Sequence, residues 1–73
     1  MAEIAVRSEI NANVWRILVS PGDVVDADQD LLILESMKME IPVASPCAGA
    51  VKEVCVAEKD AVKELQVLVL IDG

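Results

Sequence analysis

The chain has no histidine, phenylalanine or tyrosine, and its single aromatic residue is Trp15. Without histidine, imidazole-based acid–base catalysis is excluded and the common zinc sites lose their usual ligand. One aromatic gives no platform on which bases could stack, and six Lys and Arg against thirteen Asp and Glu leave no basic cluster to neutralise phosphates. The formal net charge of −7, with an isoelectric point near 4.2, argues against nucleic acid and against an anionic membrane surface alike. Three glycines, at 22, 49 and 73, build no phosphate-cradling loop. Cys47 and Cys55 do not form a Cys-x-x-Cys pair and are too few for a disulfide framework, so both are read as reduced thiols. Cys47 falls in a loop, where a reactive thiol would sit, and Cys55 reads as a small packing residue in a strand. The N-terminal residues form neither a basic n-region nor an apolar h-region, and no apolar run approaches membrane-spanning length, which sets a cytoplasmic expectation. Asp28 and Asp30 lack the glycine and closing glutamate of a calcium loop, and no nucleophile has a base partner. An independent enzyme is therefore not expected.

What is abundant is aliphatic. Hydrophobic residues make up 55% of the 73, nearly all of them Val, Leu, Ile and Ala, a composition that favours strands over helices. A chain of this length supports one domain, 1–73, around a thin core.

The chain also repeats itself. An offset of 37 positions carries Val14, Val19, Asp23, Val25, Gln29 and Leu31 onto Val51, Val56, Asp60, Val62, Gln66 and Leu68, and Ile4, Val6 and Ser8 onto Ile41, Val43 and Ser45. Two copies are too few for a solenoid and imply two similar halves closing one core about a pseudo-twofold axis.

Within each half the signals are those of short strands. Residues 4–10 alternate apolar and polar, 11–13 form a turn, and the spacing Val14, Ile17, Val19 breaks strict alternation. Val51, Val54 and Val56 repeat the break, so a bulge or bend shared by both halves is expected. Pro21-Gly22-Asp23 is a turn, Val24-Val25 a brief strand, and 31–34 a buried one. Residues 40–43 return as a strand that Pro42 confines to a sheet edge. After the loop 45–49, segments 51–56, 58–60, 61–62 and 67–71 replay the first half. The result is an all-β sandwich or flattened barrel. Trp15, matched by Lys52, reads as a half-exposed strand position.

At the junction of the halves lies Met37-Lys38, bracketed by Ser36 and Met39. A two-residue hairpin loop in its usual form requires positive φ at both central residues, where Asn-Gly is the expected pair. Met and Lys are poor choices for that conformation, and a local rule broken at a hairpin tip marks a candidate functional site. Taken alone, the triplet also fits an ordinary surface lysine between two gap-filling methionines. Its place at the repeat junction, the apolar strand that delivers it and the lack of any competing site favour a presented lysine.

The run Glu35-Ser36-Met37-Lys38-Met39-Glu40 resembles the modification motif of the biotinyl/lipoyl attachment domain family, specifically its biotinyl branch, and the likeness extends over nearly the whole chain through Pro21-Gly22-Asp23, Pro46 and Gly49-Ala50-Val51. Free-standing single-domain biotin carrier proteins are the nearest fit. The resemblance implies two four-stranded antiparallel sheets related by a quasi-twofold axis. It implies biotin on Lys38, with Met37 and Met39 inspected by a biotin protein ligase and Glu35 and Glu40 tuning ligase specificity. It further implies a monomeric carrier moving carboxybiotin between a biotin carboxylase and a carboxyltransferase. Lipoate is the runner-up cofactor, since lipoyl acceptors of the family present Asp-Lys-Ala where Met37-Lys38-Met39 stands here. The pattern departs at Lys59, Asp28 and Leu65, which occupy places where the family commonly has glycine, and altered turns are expected there.

Attachment is acyl transfer performed by the ligase. An amine with the ordinary lysine pKa of about 10.4 is unprotonated in roughly one molecule in a few thousand at pH 7, so the ligase must supply deprotonation and positioning. The carrier supplies geometry. A contrasting reading makes the chain an unmodified β-sandwich that binds a protein partner through an acidic face of Glu35, Glu40, Asp26, Asp28 and Asp30.

Overall fold

The computed structural model describes residues 2–73. Eight strands follow in order: β1 (Glu3–Arg7), β2 (Ala12–Ile17), β3 (Val24–Val25), β4 (Asp30–Ser36), β5 (Met39–Ala44), β6 (Gly49–Val54), β7 (Ala61–Val62) and β8 (Val67–Asp72). They form two antiparallel four-stranded sheets, ordered β1-β8-β6-β3 and β5-β4-β2-β7. The offset of 37 carries β1 to β5, β2 to β6, β3 to β7 and β4 to β8, so it maps one sheet order onto the other. The repeat in the sequence is thus a pseudo-twofold axis between the sheets.

The symmetry extends to individual hydrogen bonds. The Gly22 amide donates to the Val51 carbonyl at 2.7 Å, and the Lys59 amide donates to the Val14 carbonyl at 2.7 Å. Asp23 Oδ2 accepts from the Ser20 amide at 2.9 Å, and Asp60 Oδ2 accepts from the Ala57 amide at 2.9 Å. The buried hydroxyls of Ser8 and Ser45 each donate to a carbonyl two residues on, of Ile10 and Cys47, at 2.6 Å. Both would cost free energy if left unpaired, and neither is.

Adjacent residues point inward at two symmetric places, Leu31-Leu32 and Leu68-Val69, each 0% exposed. Register shifts beside them, between Asp30 and Leu32 and between Val6 and Arg7, make this possible. With Val14, Val25, Leu34, Val51, Val62 and Ile71 they form the aliphatic core. The broken alternation in β2 and β6 is a pair of register shifts, between Val14 and Arg16 and between Val51 and Glu53. Trp15 stands at the first, 42% exposed, with the Arg16 guanidinium 5.0 Å from its ring centroid.

Three expectations are corrected. The first strand ends at Arg7 rather than reaching Ile10, because Ser8 turns inward and its hydroxyl closes a local turn. The turns at Lys59, Asp28 and Leu65 are not altered: all three keep positive φ, at 77°, 68° and 72°, and Gly22, the partner of Lys59, sits at 95°. Long-range backbone bonds hold them there, the Asp28 amide donating to the Ser45 carbonyl at 2.8 Å and the Leu65 amide to that of Ser8 at 2.7 Å. The cysteine burial also differs: Cys47, in its loop, packs against the core, while Cys55 is exposed just beyond β6 rather than packed within a strand.

The molecule measures 36 × 17 × 17 Å. The β4–β5 hairpin occupies one pole of the long axis. At the other, the Gly73 amide donates to the Ala2 carbonyl at 3.0 Å, so Ala2 and Gly73 lie side by side, with Gly73 next to Cys47.

Candidate functional site

Strand β4 enters the hairpin on a run of buried aliphatics and leaves it as β5, an edge strand, where the missing amide of Pro42 is tolerated. The register pairs Leu34 with Ile41, Glu35 with Glu40 and Ser36 with Met39, leaving Met37-Lys38 as a two-residue loop. Met37 has φ 51° and Lys38 φ 64°. Positive φ at both central residues is the conformation whose right-handed twist suits adjoining strands, and it is reached here without glycine or asparagine. Each such residue costs about 1–2 kcal/mol relative to the right-handed region. The strain persists because six paired residues on each strand hold the tip.

All four candidate side chains around the lysine are exposed. Met37 is 92% exposed and Met39 62%, although both are apolar. Lys38 is exposed and makes no ion pair with any described residue. Glu35 and Glu40 face each other directly across the ladder, a like-charge pairing that costs stability. The structure therefore brings the Lys38, Met37, Met39, Glu35 and Glu40 positions together on one hairpin. It does not assemble the proposed acidic face. Strand β4 runs about 20 Å from Asp30 to Ser36 at ~3.3 Å per residue, which puts Asp26, Asp28 and Asp30 at the far end from Glu35 and Glu40.

Neighbours not foreseen in the sequence flank the tip. Asn13 pairs with Glu35 on one side and with Ala61 on the other, so β2 and β7 form a shallow depression beside Lys38 to which Asn11 and Lys63 contribute. Asn11 Oδ1 accepts from the Glu64 amide at 2.8 Å, which fixes the loop. No sequence motif marks these residues, because a strand register brings them there. Among the described residues no group of three or more His, Cys, Asp and Glu gathers, and no helix is long and apolar enough to cross a membrane.

The fold is thus a symmetric sandwich that carries a solvent-exposed lysine turn, with positive φ at both central residues, at the tip of its β4–β5 hairpin. Residues 2–71 match the biotin/lipoyl family described as "Biotin-requiring enzyme". The chain belongs to this biotin/lipoyl attachment family, whose domains are carrier modules. It is 43% identical over 65 residues to the biotin/lipoyl attachment protein of Bacillus subtilis, covering 89% of each chain. It is 47% identical over 58 residues to the biotinylated protein TB7.3 homolog of Mycobacterium leprae, covering 80% of this chain and 82% of that one. Among solved structures, the urea carboxylase of Kluyveromyces lactis matches with a TM-score of 0.92 and 25% identity over 99% of this chain, which spans only 6% of the carboxylase.

Proposed function

We propose that residues 1–73 form one attachment domain whose Lys38 is biotinylated, and that the loaded domain carries a carboxyl group from a biotin carboxylase to a carboxyltransferase. The observation that carries this reading is the Met37-Lys38 turn: an amine held at the pole of a rigid hairpin, with two apolar side chains left in water on either side of it. Exposed apolar shoulders of this kind are surfaces awaiting a partner. The names of the relatives in Bacillus subtilis and Mycobacterium leprae support it.

Loading is a single acyl transfer. A biotin protein ligase presents the acid as its acyl adenylate, Lys38 Nζ attacks the carbonyl, AMP leaves, and an amide replaces the amine. Only the tip must enter the ligase, so little ordering entropy is lost on docking. Met37 and Met39 bury against the ligase, while Glu35 and Glu40 flank the entry and discriminate between ligases. Once attached, the cofactor's ureido ring accepts and surrenders the carboxyl group. The domain contributes reach and high local concentration at each active site.

Lipoate on the same lysine is the second reading, favoured by the Bacillus subtilis relative being named for both groups. Intact mass of the protein from its own cells, with peptide mapping and a Lys38→Arg control, tests both. The expected result is one biotinyl adduct on Lys38, absent from the variant. A lipoyl adduct promotes the second reading. A chain that stays bare in its cells and with purified ligase, ATP and biotin overturns the first and favours an unmodified binding module.

A further inference from the structure

Methionine occurs at positions 1, 37 and 39 and nowhere else in the sequence. The buried core therefore holds no methionine, and the two described thioethers both stand in solvent beside Lys38. A core that needed soft, adaptable filling would have drawn on methionine, so its confinement to the hairpin calls for another account. We propose that Met37 and Met39 form a sulfoxidation site, through which hydroperoxides reversibly slow the loading of Lys38. The inference rests on the attachment reading above.

The chemistry is self-contained. A sulfur lone pair attacks one oxygen of hydrogen peroxide, the O–O bond breaks as the S–O bond forms, the sulfur is oxidised by two electrons, and the peroxide is reduced to water. A thiol-dependent sulfoxide reductase restores the thioether, its two thiols becoming a disulfide and the oxygen leaving as water. Exposure governs access, and the turn holds both sulfurs at the pole of the molecule.

The two cysteine sulfurs lie outside the hairpin. Cys47 is half-buried against the core. Partial desolvation and the Glu53 carboxylate, 3.9 Å from its sulfur, push the Cys55 thiol up and leave less of the reactive thiolate.

Oxidation changes the site and spares the fold. A sulfoxide is polar and chiral, so a shoulder that the ligase buries as hydrocarbon must instead be desolvated at a cost. Neither methionine touches the core cluster, so thermal stability does not move.

The test treats the whole chain with hydrogen peroxide, maps the added oxygen, and measures biotin incorporation by purified ligase before and after. Both sulfurs are expected to oxidise, kcat/KM to fall by roughly tenfold or more, as the loss of about one buried methionine contact implies, and Tm to stay fixed. Sulfoxide reductase restores the rate. In a Met37→Leu, Met39→Leu chain the ratio of treated to untreated rate is unity, whatever its starting rate. Unoxidised methionines, or an oxidised chain that loads as fast as the untreated one, overturns this inference alone. An untreated chain that does not load overturns the attachment reading together with it.

Discussion

Replacing Met37 by asparagine separates what the tip does for folding from what it does for recognition. Met37 occupies φ 51° and is 92% exposed, so its side chain contributes almost no burial while its backbone bears the full left-handed penalty. Asparagine enters that region far more readily and is the preferred first residue of such a turn. If it recovers about half of a 1–2 kcal/mol penalty, Met37→Asn gains about 0.5–1 kcal/mol. For a domain of this size each kcal/mol shifts Tm by about 4–8 °C, so the midpoint rises by about 2–8 °C. Loading moves the other way. A methionine fully buried against a partner is worth about 1.5–3 kcal/mol, so kcat/KM for the ligase falls by about tenfold to hundredfold. Thermal denaturation and labelled-biotin incorporation on the same preparation measure both. An unchanged or lower Tm refutes the strain argument, and an unchanged kcat/KM refutes the role of the shoulder.

The same strain predicts that Leu65→Gly, at φ 72° and with an exposed side chain, stabilises by about 0.5–1 kcal/mol, whereas Gly22→Ala, at φ 95°, destabilises by about 1 kcal/mol; urea titration reads both. Gly49→Ala places a Cβ 2.3 Å from the Asp72 carbonyl oxygen, which is backbone and cannot swing away, so a loss of about 1–3 kcal/mol is expected in the same titration. Leu32→Ala, at 0% exposure, removes about 2–5 kcal/mol, enough to unfold much of the population at growth temperature. In a Cys47→Ser background, alkylation of Cys55 follows a pH profile displaced to higher pH than that of the urea-unfolded chain, because the folded thiol holds its proton longer; coincident profiles contradict the assigned cause.

Much of the architecture is legible in the residues because each half carries it independently. Val24-Val25 and Ala61-Val62 stand as isolated strands between turns, Pro42 can only lie on an edge, and the shared break after Val14 and Val51 marks both bulges. The positive φ of Met37 and Lys38 follows from the two-residue loop between paired strands. The turns at Lys59 and Leu65 were not legible, since their conformation is imposed by amides bonded to Val14 and Ser8, far away in the chain. Local residue preference is overruled there by tertiary hydrogen bonds. The neighbourhood of Asn11, Asn13 and Lys63 was hidden for the same reason: it depends on β2 lying between β4 and β7, and no single segment encodes that order. Ser8 misled the strand boundary because a buried hydroxyl in a turn and a polar residue on an alternating strand look the same in sequence.

The adjacency of the chain ends, bonded from Gly73 to Ala2, has a mechanical meaning. Ala2 and Gly73 both lie at the pole farthest from Lys38, so the described chain begins and ends at nearly the same point. A host protein holding the domain by both ends would grip it like a lamp on a single swivel, free to turn its lit end through a wide arc. The same arrangement would serve a domain embedded in a larger chain and one standing alone, since neither attachment would cover the Met37-Lys38 tip.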